Sequence, residues 1–316
     1  MTQTNGLTST TYGFIGIGQM GWGMAMNLRK KISSSSKLVV CEVSAARLEQ
    51  FVKEAEGEIE KAATPKEVAE RADVVITMLP TSQHVQHVFT NPETGLLSAK
   101  PKGKPILFIE CSTIEVTTSI EVGKAVKRSG TGTFIDAPVS GGPNGANKAT
   151  LAIMAGGNES DFAKAEPILN MMGKNIFHCG PAGAGLATKQ INNYLSSVCT
   201  VGVCEAMNMG VKYGLDPKVL AGVINVSSGR CYNSLEQNPV KGVTPGAASE
   251  NDFVGGFSVE LCKGVLDMAM ELGKSVGAQS RLGDTILNIY DKAVKDERTK
   301  GRDSRSVYRL FADGDA

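Results

Sequence analysis

The chain has 316 residues, of which 41% are hydrophobic and 21% charged, with a formal net charge of +1. This composition is that of an ordinary globular protein, and the length suits two domains better than one. The net charge argues against a polyanionic partner such as nucleic acid, and no apolar run approaches the ~20 residues needed to span a membrane.

The cysteines and the N-terminal residues bear on the compartment. Seven cysteines are scattered along the chain without a C-x-x-C pair, which is typical of free thiols in a reducing compartment. Residues 1–11 hold no Lys, no Arg and no apolar core, so they lack the marks of a targeting segment. We therefore expect a cytoplasmic protein, or one of the mitochondrial matrix if a targeting segment has been removed.

A dinucleotide-binding turn is predicted near the N-terminus. An apolar strand pattern over residues 12–17 leads into a G-x-G-x-x-G sequence at 16–21, and a helical pattern follows over 22–29. Glycines between a strand and a helix permit a tight turn, so that a pyrophosphate can lie on the helix N-terminus. A Gly-rich turn without a ligand is the less favoured alternative.

The second predicted strand, residues 37–41, bears on the choice of cofactor. It ends at Glu42, whose carboxylate can accept a hydrogen bond from the ribose 2′-hydroxyl and repels a 2′-phosphate. NAD is therefore expected rather than NADP, although Arg47 lies near enough in sequence to soften that preference.

Strand and helix patterns alternate as far as residue 180, which predicts a doubly wound α/β domain with a parallel sheet. Thr64 and Pro65 mark the start of one helix as its N-cap and first helical residue. The remaining predicted helices are 45–55 and 159–172, and the remaining strands are 73–78, 105–110, 132–138, 150–155 and 175–179.

Open α/β sheets bind ligands outside the carboxyl ends of their strands. Leu79 and Pro80 follow one predicted strand, and Thr113 follows the next. Thr113 is a candidate contact for nicotinamide or substrate, and equally a candidate N-cap for the helix that begins near Glu115.

A Gly-rich segment, 139–146, follows the strand 132–138. Consecutive backbone N–H groups at Gly141 and Gly142, beside the Ser140 hydroxyl, form a concave site suited to a carboxylate. The alternative is a flexible surface loop.

Lys189 and Asn193 are four residues apart in a predicted helix over 186–213, so they project from one face. The helix is otherwise largely apolar here, and desolvation lowers the pKa of a buried lysine toward the range of an acid–base catalyst. The alternative is a lysine that extends from a core helix to solvent.

Beyond residue 183 the strand patterns stop, and helical spacing covers 186–213, 217–226, 256–276 and 281–295. A loop rich in Gly, Pro, Asn and Ser covers 227–255. We expect an α/β dinucleotide-binding domain over 1–181 and an all-helical domain for substrate binding and oligomerisation over 182–316.

These motifs together resemble those of the β-hydroxyacid dehydrogenases, and the resemblance covers nearly the whole chain from Tyr12. Four motifs occur in the order that the family has them: the G-x-G-x-x-G sequence, residues 136–142, residues 183–193 with Lys189, and Gly255-Gly256-Phe257. The segments 227–232 and 238–243 are similar to the branch of the family that acts on 3-hydroxyisobutyrate.

The resemblance implies roles for individual residues. Lys189 matches the catalytic lysine, which takes the hydroxyl proton while nicotinamide takes a hydride. The positions implied for substrate are Ser140, Gly141, Gly142, Asn193 and Thr113. The positions implied for the cofactor are Gly16, Gly18, Gln19, Met20, Gly21, Glu42, Leu79, Pro80, Thr113, Phe257 and Lys263.

One position departs from the family pattern. Many members carry a Lys-Asp pair shortly after the phenylalanine that matches Phe257, and that lysine meets the cofactor. Here Gly264 and Val265 hold the two positions, and Lys263 lies one residue early, which is about 100° around a helix. A solvent-facing Lys263 is therefore favoured over a cofactor contact.

Two alternative functions are carried forward. One is a related dehydrogenase that acts on tartronate semialdehyde or γ-hydroxybutyrate, and the other is a non-catalytic NAD-binding regulatory module. His84 and His87 lie three residues apart without a third ligand nearby, so no metal site is expected. The apolar run 198–211 predicts a homodimer or homotetramer assembled through the C-terminal helices.

Overall fold

The computed structural model describes residues 9–100 and 103–312, so most of the N-terminal stretch that was searched for targeting marks lies outside the described residues. The chain divides into two compact units, Met1–Lys189 and Gln190–Ala316. The first unit contains a nine-stranded sheet. Its strands are β1 (Thr11–Ile15), β2 (Lys37–Cys41), β3 (Ile59–Lys61), β4 (Val74–Thr77), β5 (Ile106–Glu110), β6 (Gly132–Asp136), β7 (Val139–Ser140), β8 (Leu151–Gly156) and β9 (Gly173–Gly180).

The strand order is β3-β2-β1-β4-β5-β6-β8-β7, and β9 pairs with β8. The first six strands in this order run parallel, whereas β8 pairs antiparallel with both β6 and β7. The parallel part has the order of a dinucleotide-binding sheet that winds outward in both directions from β1 and β4. The predicted fold class is confirmed.

Both faces of the sheet are covered by helices. The helices of this unit are α1 (Gln19–Lys31), α2 (Ala45–Glu54), α3 (Pro65–Arg71), α4 (Ser82–Thr90), α5 (Val116–Ser129), α6 (Gly142–Lys148) and α7 (Glu159–Met172), with a short 3-10 helix at Leu96–Ser98. Successive residues of a strand enter opposite cores, as in β5, where Ile109 joins one apolar cluster and Phe108 the other. This alternation explains why the buried strands are continuously apolar.

The last helix of the first unit, α8 (Ala184–Tyr213), continues into the second. The second unit is helical, with α9 (Pro217–Val226), α10 (Tyr232–Leu235), α11 (Val259–Ser275), α12 (Gly283–Ala293) and α13 (Tyr308–Ala312), and with 3-10 helices at Ala248–Asn251 and Ser304–Val307. Its main core packs Val201 and Cys204 of α8 against α11 and α12, with Tyr290 fully buried among them.

Local sequence signals located most of these elements. Helices α7 and α9 begin and end where they were predicted, and the Thr64 side chain accepts a hydrogen bond from the backbone N–H of Glu67 at 3.2 Å, as an N-cap does. The predicted loop 227–255 is less irregular than expected, since it contains α10. The cause is a capping box in which Cys231 and Ser234 satisfy each other's backbone N–H groups.

The predicted boundary after residue 181 lies just before α8, whereas the compact units divide after Lys189. The first turn of α8 belongs with the sheet because Leu186 is fully buried in one of its two cores. Among the helices that the structure describes, none is both long and apolar enough to cross a membrane.

Gly185 allows α8 to begin directly against β8. A Cβ atom at this position would lie 2.1 Å from the carbonyl oxygen of Met154 and 2.8 Å from a carboxylate oxygen of Asp136. Gly185→Ala is therefore expected to lower the free energy of unfolding by about 1–3 kcal/mol, the range typical of overpacking. The measurement is urea unfolding followed by circular dichroism.

The matched control is Gly202→Ala on the same helix, where a Cβ atom meets no atom within 4 Å. Because alanine is favoured over glycine within a helix by up to about 1 kcal/mol, this variant is expected to be at least as stable as the parent. Equal stability of the two variants would contradict the proposed close contact between α8 and β8.

Candidate functional site

The parallel strands end in register along one edge of the sheet. Ile15 pairs with Cys41 of β2 and with Thr77 of β4, Thr77 pairs with Glu110 of β5, and Glu110 pairs with Asp136 of β6. The segments that follow these five residues therefore emerge side by side. This register brings the predicted Gly-rich turn, Glu42, Leu79 and Thr113 to the same edge of the first unit.

The Gly-rich turn has the geometry that a pyrophosphate requires. Gly16 has φ +87°, a conformation that L-residues rarely adopt. A Cβ atom at Gly21 would lie 2.0 Å from the carbonyl oxygen of Gly16, so glycine is needed for the helix to approach the turn. Gly18, the N-cap of α1, is exposed and has open space where a Cβ would project.

The N-terminus of α1 receives no side-chain cap from its N-cap residue, and its first turn holds no acidic side chain. Gln19 is exposed and Met20 half-buried at this end of the helix. Backbone N–H groups of an uncapped first turn, together with the positive end of the helix dipole, form an anion site. The residues present thus fit the diphosphate of a dinucleotide.

Glu42 is half-buried directly after β2. Its Oε2 accepts a hydrogen bond from the backbone N–H of Ile17 at 2.9 Å, and its Oε1 accepts one from that of Ser44 at 3.0 Å. The carboxylate is therefore fixed beside the Gly-rich turn, and each oxygen keeps a lone pair for a ribose hydroxyl.

Arg47, considered from sequence as a residue that softens the preference for NAD, has two partners in the structure. Its Nε donates to the carbonyl oxygen of Ile17, and its guanidinium carbon lies 5.3 Å from the ring centroid of Trp22. These contacts orient the guanidinium along the Gly-rich turn. The Glu42 carboxylate remains the acidic group at the end of β2.

Two neighbouring turns, at Leu79-Pro80 and at Ser112-Thr113, are tied together by hydrogen bonds. The backbone N–H of Leu79 donates to Ser112 Oγ at 2.7 Å, and the backbone N–H of Ser112 donates to Glu110 Oε1 at 2.9 Å. Leu79 and Thr113 are half-buried, and Pro80 is exposed. The alternative role for Thr113 as an N-cap is wrong, because α5 starts two residues later than that role requires and Glu115 occupies the N-cap position.

Glu110 was not identified from the sequence. It is fully buried, Thr77 Oγ1 lies 3.4 Å from its Oε1, and its Oε2 has no hydrogen-bond partner among the described residues. Burial raises the pKa of Glu110 to about 8, with a smaller contribution from the neighbouring Asp136. The side chain is therefore largely neutral at pH 7. The sequence signal that could have identified Glu110 is its position as the single acid at the end of an otherwise apolar strand.

Ser140 is half-buried at the end of β7, and Gly141 and Gly142 are exposed directly after it. Both glycines have positive φ, +135° and +62°. Where a flexible surface loop was the alternative, the structure has β7 and α6, and the N-cap of α6 is Gly141 without a side-chain cap. The glycines thus stand in an ordered turn at the start of α6, where no side chain of their own covers the backbone N–H groups, and this arrangement suits a carboxylate.

Asp136 is a second buried acid that sequence reasoning missed. One of its carboxylate oxygens accepts a hydrogen bond from the backbone N–H of Gly183 at 2.7 Å, and the other accepts one from Leu186 at 2.9 Å. Burial raises the pKa of Asp136, and these backbone N–H groups counteract part of the increase. The carboxyl group therefore caps the N-terminus of α8 from β6, fifty residues earlier in the chain.

Lys189 lies in the second turn of α8 and is only 8% exposed. Burial lowers its pKa from 10.5 to about 8. The alternative of a lysine extending to solvent is therefore wrong. Asn193 follows one turn later on the same helix, in the part that belongs to the second unit, and is half-buried.

Phe257 and Lys263 belong to the second unit. Phe257 is half-buried, and its backbone N–H donates to an Asp303 carboxylate oxygen at 3.0 Å. Lys263 Nζ lies 2.7 Å from Asp267 and 3.4 Å from Asp291, and Asp267 raises the pKa of this lysine. Lys263 is thus ion-paired rather than freely solvated, while a Cβ atom at Gly264 would project into open space.

Of the two histidines beside the Leu79-Pro80 turn, His84 has a local side-chain partner. His84 Nδ1 lies 2.7 Å from Thr81 Oγ1, the side chain that caps α4. Within residues 9–100 and 103–312, no group of three or more His, Cys, Asp or Glu side chains is arranged to hold a metal ion.

Comparisons with protein families match both units. A model described as the NAD binding domain of 6-phosphogluconate dehydrogenase matches residues 11–180. A second model, described as NAD-binding of NADP-dependent 3-hydroxyisobutyrate dehydrogenase, matches residues 183–311.

Individual proteins are similar over nearly the whole chain. A probable mitochondrial 3-hydroxyisobutyrate dehydrogenase of Dictyostelium discoideum is 41% identical over 91% of this chain and 86% of its own length. The 3-hydroxyisobutyrate dehydrogenase of Pseudomonas aeruginosa is 39% identical over 96% of this chain and 98% of its own. A Mycobacterium tuberculosis 3-hydroxyisobutyrate dehydrogenase solved with L-serine has a TM-score of 0.86 and 34% identity, covering 96% of this chain and 99% of its own.

The raised pKa of Glu110, at the carboxyl edge of the sheet, can be tested through the pH dependence of stability. Its pKa is raised in the folded protein above the ordinary glutamate value of 4.5, so the folded state binds an extra proton between about pH 4.5 and pH 8. Stability is therefore expected to fall as pH rises through that window and to level off above it. Glu110→Gln removes the titration while keeping an acceptor for the N–H of Ser112.

The free energy of unfolding of Glu110→Gln minus that of the parent is expected to increase by about 2–4 kcal/mol between pH 5 and pH 9. The measurement is urea unfolding at each pH. Glu110→Ala is the control. It leaves the Ser112 N–H without its acceptor, so it should be less stable than the parent at pH 5. If the difference in free energy of unfolding between Glu110→Gln and the parent is constant from pH 5 to pH 9, Glu110 is not neutral in the folded protein.

Proposed function

We propose that this chain, which belongs to the 3-hydroxyisobutyrate dehydrogenase family of β-hydroxyacid dehydrogenases, oxidises 3-hydroxyisobutyrate to methylmalonate semialdehyde with NAD. This is an oxidation step of valine degradation. The observation that carries the proposal is the buried Lys189, whose pKa is lowered to about 8 and whose helix is fixed by Asp136 at the carboxyl edge of the sheet.

NAD, when bound, would supply the acceptor for a hydride from the carbinol carbon of the substrate. In our proposal the residues that bind it in the first unit are Gly16, Gly18, Gln19, Met20, Gly21, Glu42, Leu79, Pro80 and Thr113. The uncapped α1 N-terminus would hold the diphosphate, and the Glu42 carboxylate would accept a hydrogen bond from a ribose hydroxyl. In the second unit, Phe257 stays a candidate contact, whereas the ion pairs of Lys263 with Asp267 and Asp291 argue against a direct role for it.

The substrate carboxylate is proposed to bind the backbone N–H groups of Gly141 and Gly142 and the Ser140 hydroxyl. Their positive-φ turn presents these groups without a side chain above them. Thr113 and Asn193 are proposed to orient the substrate hydroxyl, and both can donate or accept hydrogen bonds.

Lys189 is proposed to accept the hydroxyl proton during oxidation and to return it during reduction of the aldehyde. The uncharged amine is the base, and burial makes it accessible near neutral pH because desolvation disfavours the ammonium. This role distinguishes the chain from a non-catalytic NAD-binding module, which has no use for a buried titrating lysine.

The reducing compartment expected from the cysteines is compatible with either proposed location. All seven cysteines are free, four of them buried. The similar proteins of Dictyostelium discoideum and Mus musculus are described as mitochondrial. We propose a reducing compartment for this protein, either the cytoplasm or the mitochondrial matrix.

Replacement of the lysine tests the mechanism. Lys189→Ala is expected to lower kcat for 3-hydroxyisobutyrate oxidation by about 10²–10⁴-fold, the usual contribution of general acid–base catalysis. Lys189→Arg should not restore activity, because a guanidinium stays protonated at neutral pH. NAD binding, measured by calorimetry, should change little, since the α1 turn is intact in both variants.

The pH dependence of catalysis provides a second test of the role of Lys189. In the parent, kcat/KM for oxidation should rise with pH and level off above about 8, because the uncharged amine is the base. Aldehyde reduction should decline through the same pH, because it requires the ammonium form.

A comparison of substrates tests the substrate assignment, with formation of NADH or NADPH followed by absorbance. The assignment fails if glycerate or γ-hydroxybutyrate is turned over with a higher kcat/KM than 3-hydroxyisobutyrate.

The second unit exposes an apolar stripe on α9 that we propose is covered by a second copy of the chain. Val219, Val223 and Val226 lie at helical spacing and are 66%, 56% and 87% exposed. Met209 and Tyr213, near the end of α8, are also exposed. A homodimer or homotetramer buries such a surface, which is costly to leave in water.

Val223→Asp is expected to convert the assembly to monomers, because a carboxylate at the centre of the stripe would be desolvated without a partner. The measurement is sedimentation equilibrium at micromolar concentration. Val276→Asp, which changes an exposed valine beyond the end of α11, should leave the mass unchanged. A monomeric parent would contradict the proposed assembly.

A further inference from the structure

Two half-buried thiols of the second unit lie together. Cys199 is on α8, and Cys231 is the N-cap residue of α10. The Cys231 thiol is a near neighbour of the Cys199 thiol and contributes to raising the pKa of Cys199. Neither cysteine has a part in the proposed reaction.

Contacts on both sides of the pair hold α10 against α8. Asn233 is buried, and its Nδ2 donates to the backbone carbonyl of Ser196 at 3.0 Å. Nitrogen atoms of the Arg305 guanidinium hold Asn233 Oδ1 from the other side at 3.2 Å. Ser196 is one helical turn before Cys199, and Asn233 is two residues after Cys231, so these bonds fix the backbone near each sulfur.

Two hydrogen bonds of the capping box fix the backbone at Cys231. Its N–H donates to Ser234 Oγ at 2.9 Å, and its sulfur accepts the backbone N–H of Ser234 in the capping box. The two cysteines are therefore held near each other by main-chain and amide hydrogen bonds.

We propose that Cys199 and Cys231 form an oxidisable dithiol that low-molecular-weight disulfides convert to an intramolecular disulfide. The two thiols form a site of reversible oxidation in a protein whose other cysteines are free thiols. It rests on the arrangement of α8 and α10 and does not depend on the proposed enzymatic function.

The exchange proceeds in two steps with glutathione disulfide as the oxidant. The Cys231 thiolate attacks one sulfur of glutathione disulfide, which forms a mixed disulfide and releases one glutathione thiolate. Cys199 then loses its proton to solvent and attacks the Cys231 sulfur, which forms the internal disulfide and releases the second glutathione. The protein dithiol loses two electrons, which reduce one glutathione disulfide to two glutathione molecules.

The order of the steps follows from the surroundings of Cys199. Burial and the adjacent Cys231 sulfur raise the pKa of Cys199. A thiol that ionises with difficulty is a poor first nucleophile toward a reagent in solution. Once Cys231 is in the mixed disulfide, the reaction of Cys199 is intramolecular, and its proximity compensates for the small thiolate fraction.

Other cysteines are unsuited to the same reaction. Four of them, Cys41, Cys111, Cys204 and Cys262, are buried. Burial raises the pKa of each of these thiols. Cys179 is half-buried in the first unit, on β9, so it provides a matched control for exposure without pairing.

The test exposes the folded, full-length protein to glutathione disulfide, followed by alkylation, intact-mass measurement and peptide mapping. The expected product has lost two hydrogen atoms, contains a cross-linked pair of Cys199 and Cys231 peptides, and reverts with dithiothreitol. Because the cross-link restricts the unfolded chain between α8 and α10, the Tm of the oxidised protein should rise by about 5 °C or more.

Variants separate the two steps. Cys199→Ser should stop at a stable mixed disulfide on Cys231, whereas Cys231→Ser should stay largely reduced at Cys199. Cys179→Ser should form the internal disulfide as the parent does. Alanine variants at both positions repeat the test if a serine variant has an altered circular dichroism spectrum when reduced.

The proposal is overturned if the parent accumulates a mixed disulfide on Cys231 that does not resolve, or forms only intermolecular disulfides. It is also overturned if the internal disulfide joins a different pair of cysteines. A redox titration against glutathione that leaves both thiols free at every ratio of oxidised to reduced glutathione has the same consequence.

Discussion

The hydrogen bonds between the Asp136 carboxyl group and the first backbone N–H groups of α8 connect the sheet to the helix that carries Lys189. Asp136 ends β6, and its two oxygens hold Gly183 and Leu186. Gly156 and Gly185 leave the space for this contact, since a Cβ atom on either would lie within 3 Å of an Asp136 oxygen. The position of Lys189 therefore depends on a capping interaction across β6, β8 and α8, in which a helix N-terminus meets an acid.

Burial has opposite consequences for the two titrating groups of the first unit, although its physical cause is the same. Removal from water disfavours a charged form, so the pKa of Glu110 rises and that of Lys189 falls, each to about 8. Glu110 is thereby kept neutral while it ties the Ser112 turn to β5. The lowered pKa of Lys189 fits the proton exchange that we propose for it. Burial thus accounts both for the neutral Glu110 that holds the Ser112 turn and for the lowered pKa of Lys189.

The two units differ in how their buried polar groups are used. In the first, buried acids hold backbone N–H groups at the ends of strands and at the start of α8. In the second, Arg305 is paired with Asp303 and Asn233, and these in turn hold the segments before α11 and around α10. Because unpaired buried charges are costly, each arrangement specifies one position for its segments. The Cys199–Cys231 pair is a consequence of the second arrangement.

The sequence by itself determined the elements and their class, because strand alternation, helix spacing and caps such as Thr64 are properties of neighbouring residues. It also located the Gly-rich turn, Glu42 and Lys189, which stand in local patterns. Only the tertiary structure decided that Asp136 caps α8, that Glu110 is neutral, that Lys263 is paired with Asp291 and that Cys199 meets Cys231. Each of these depends on contacts between residues distant in sequence, and burial is a property of the packed chain that no local pattern contains.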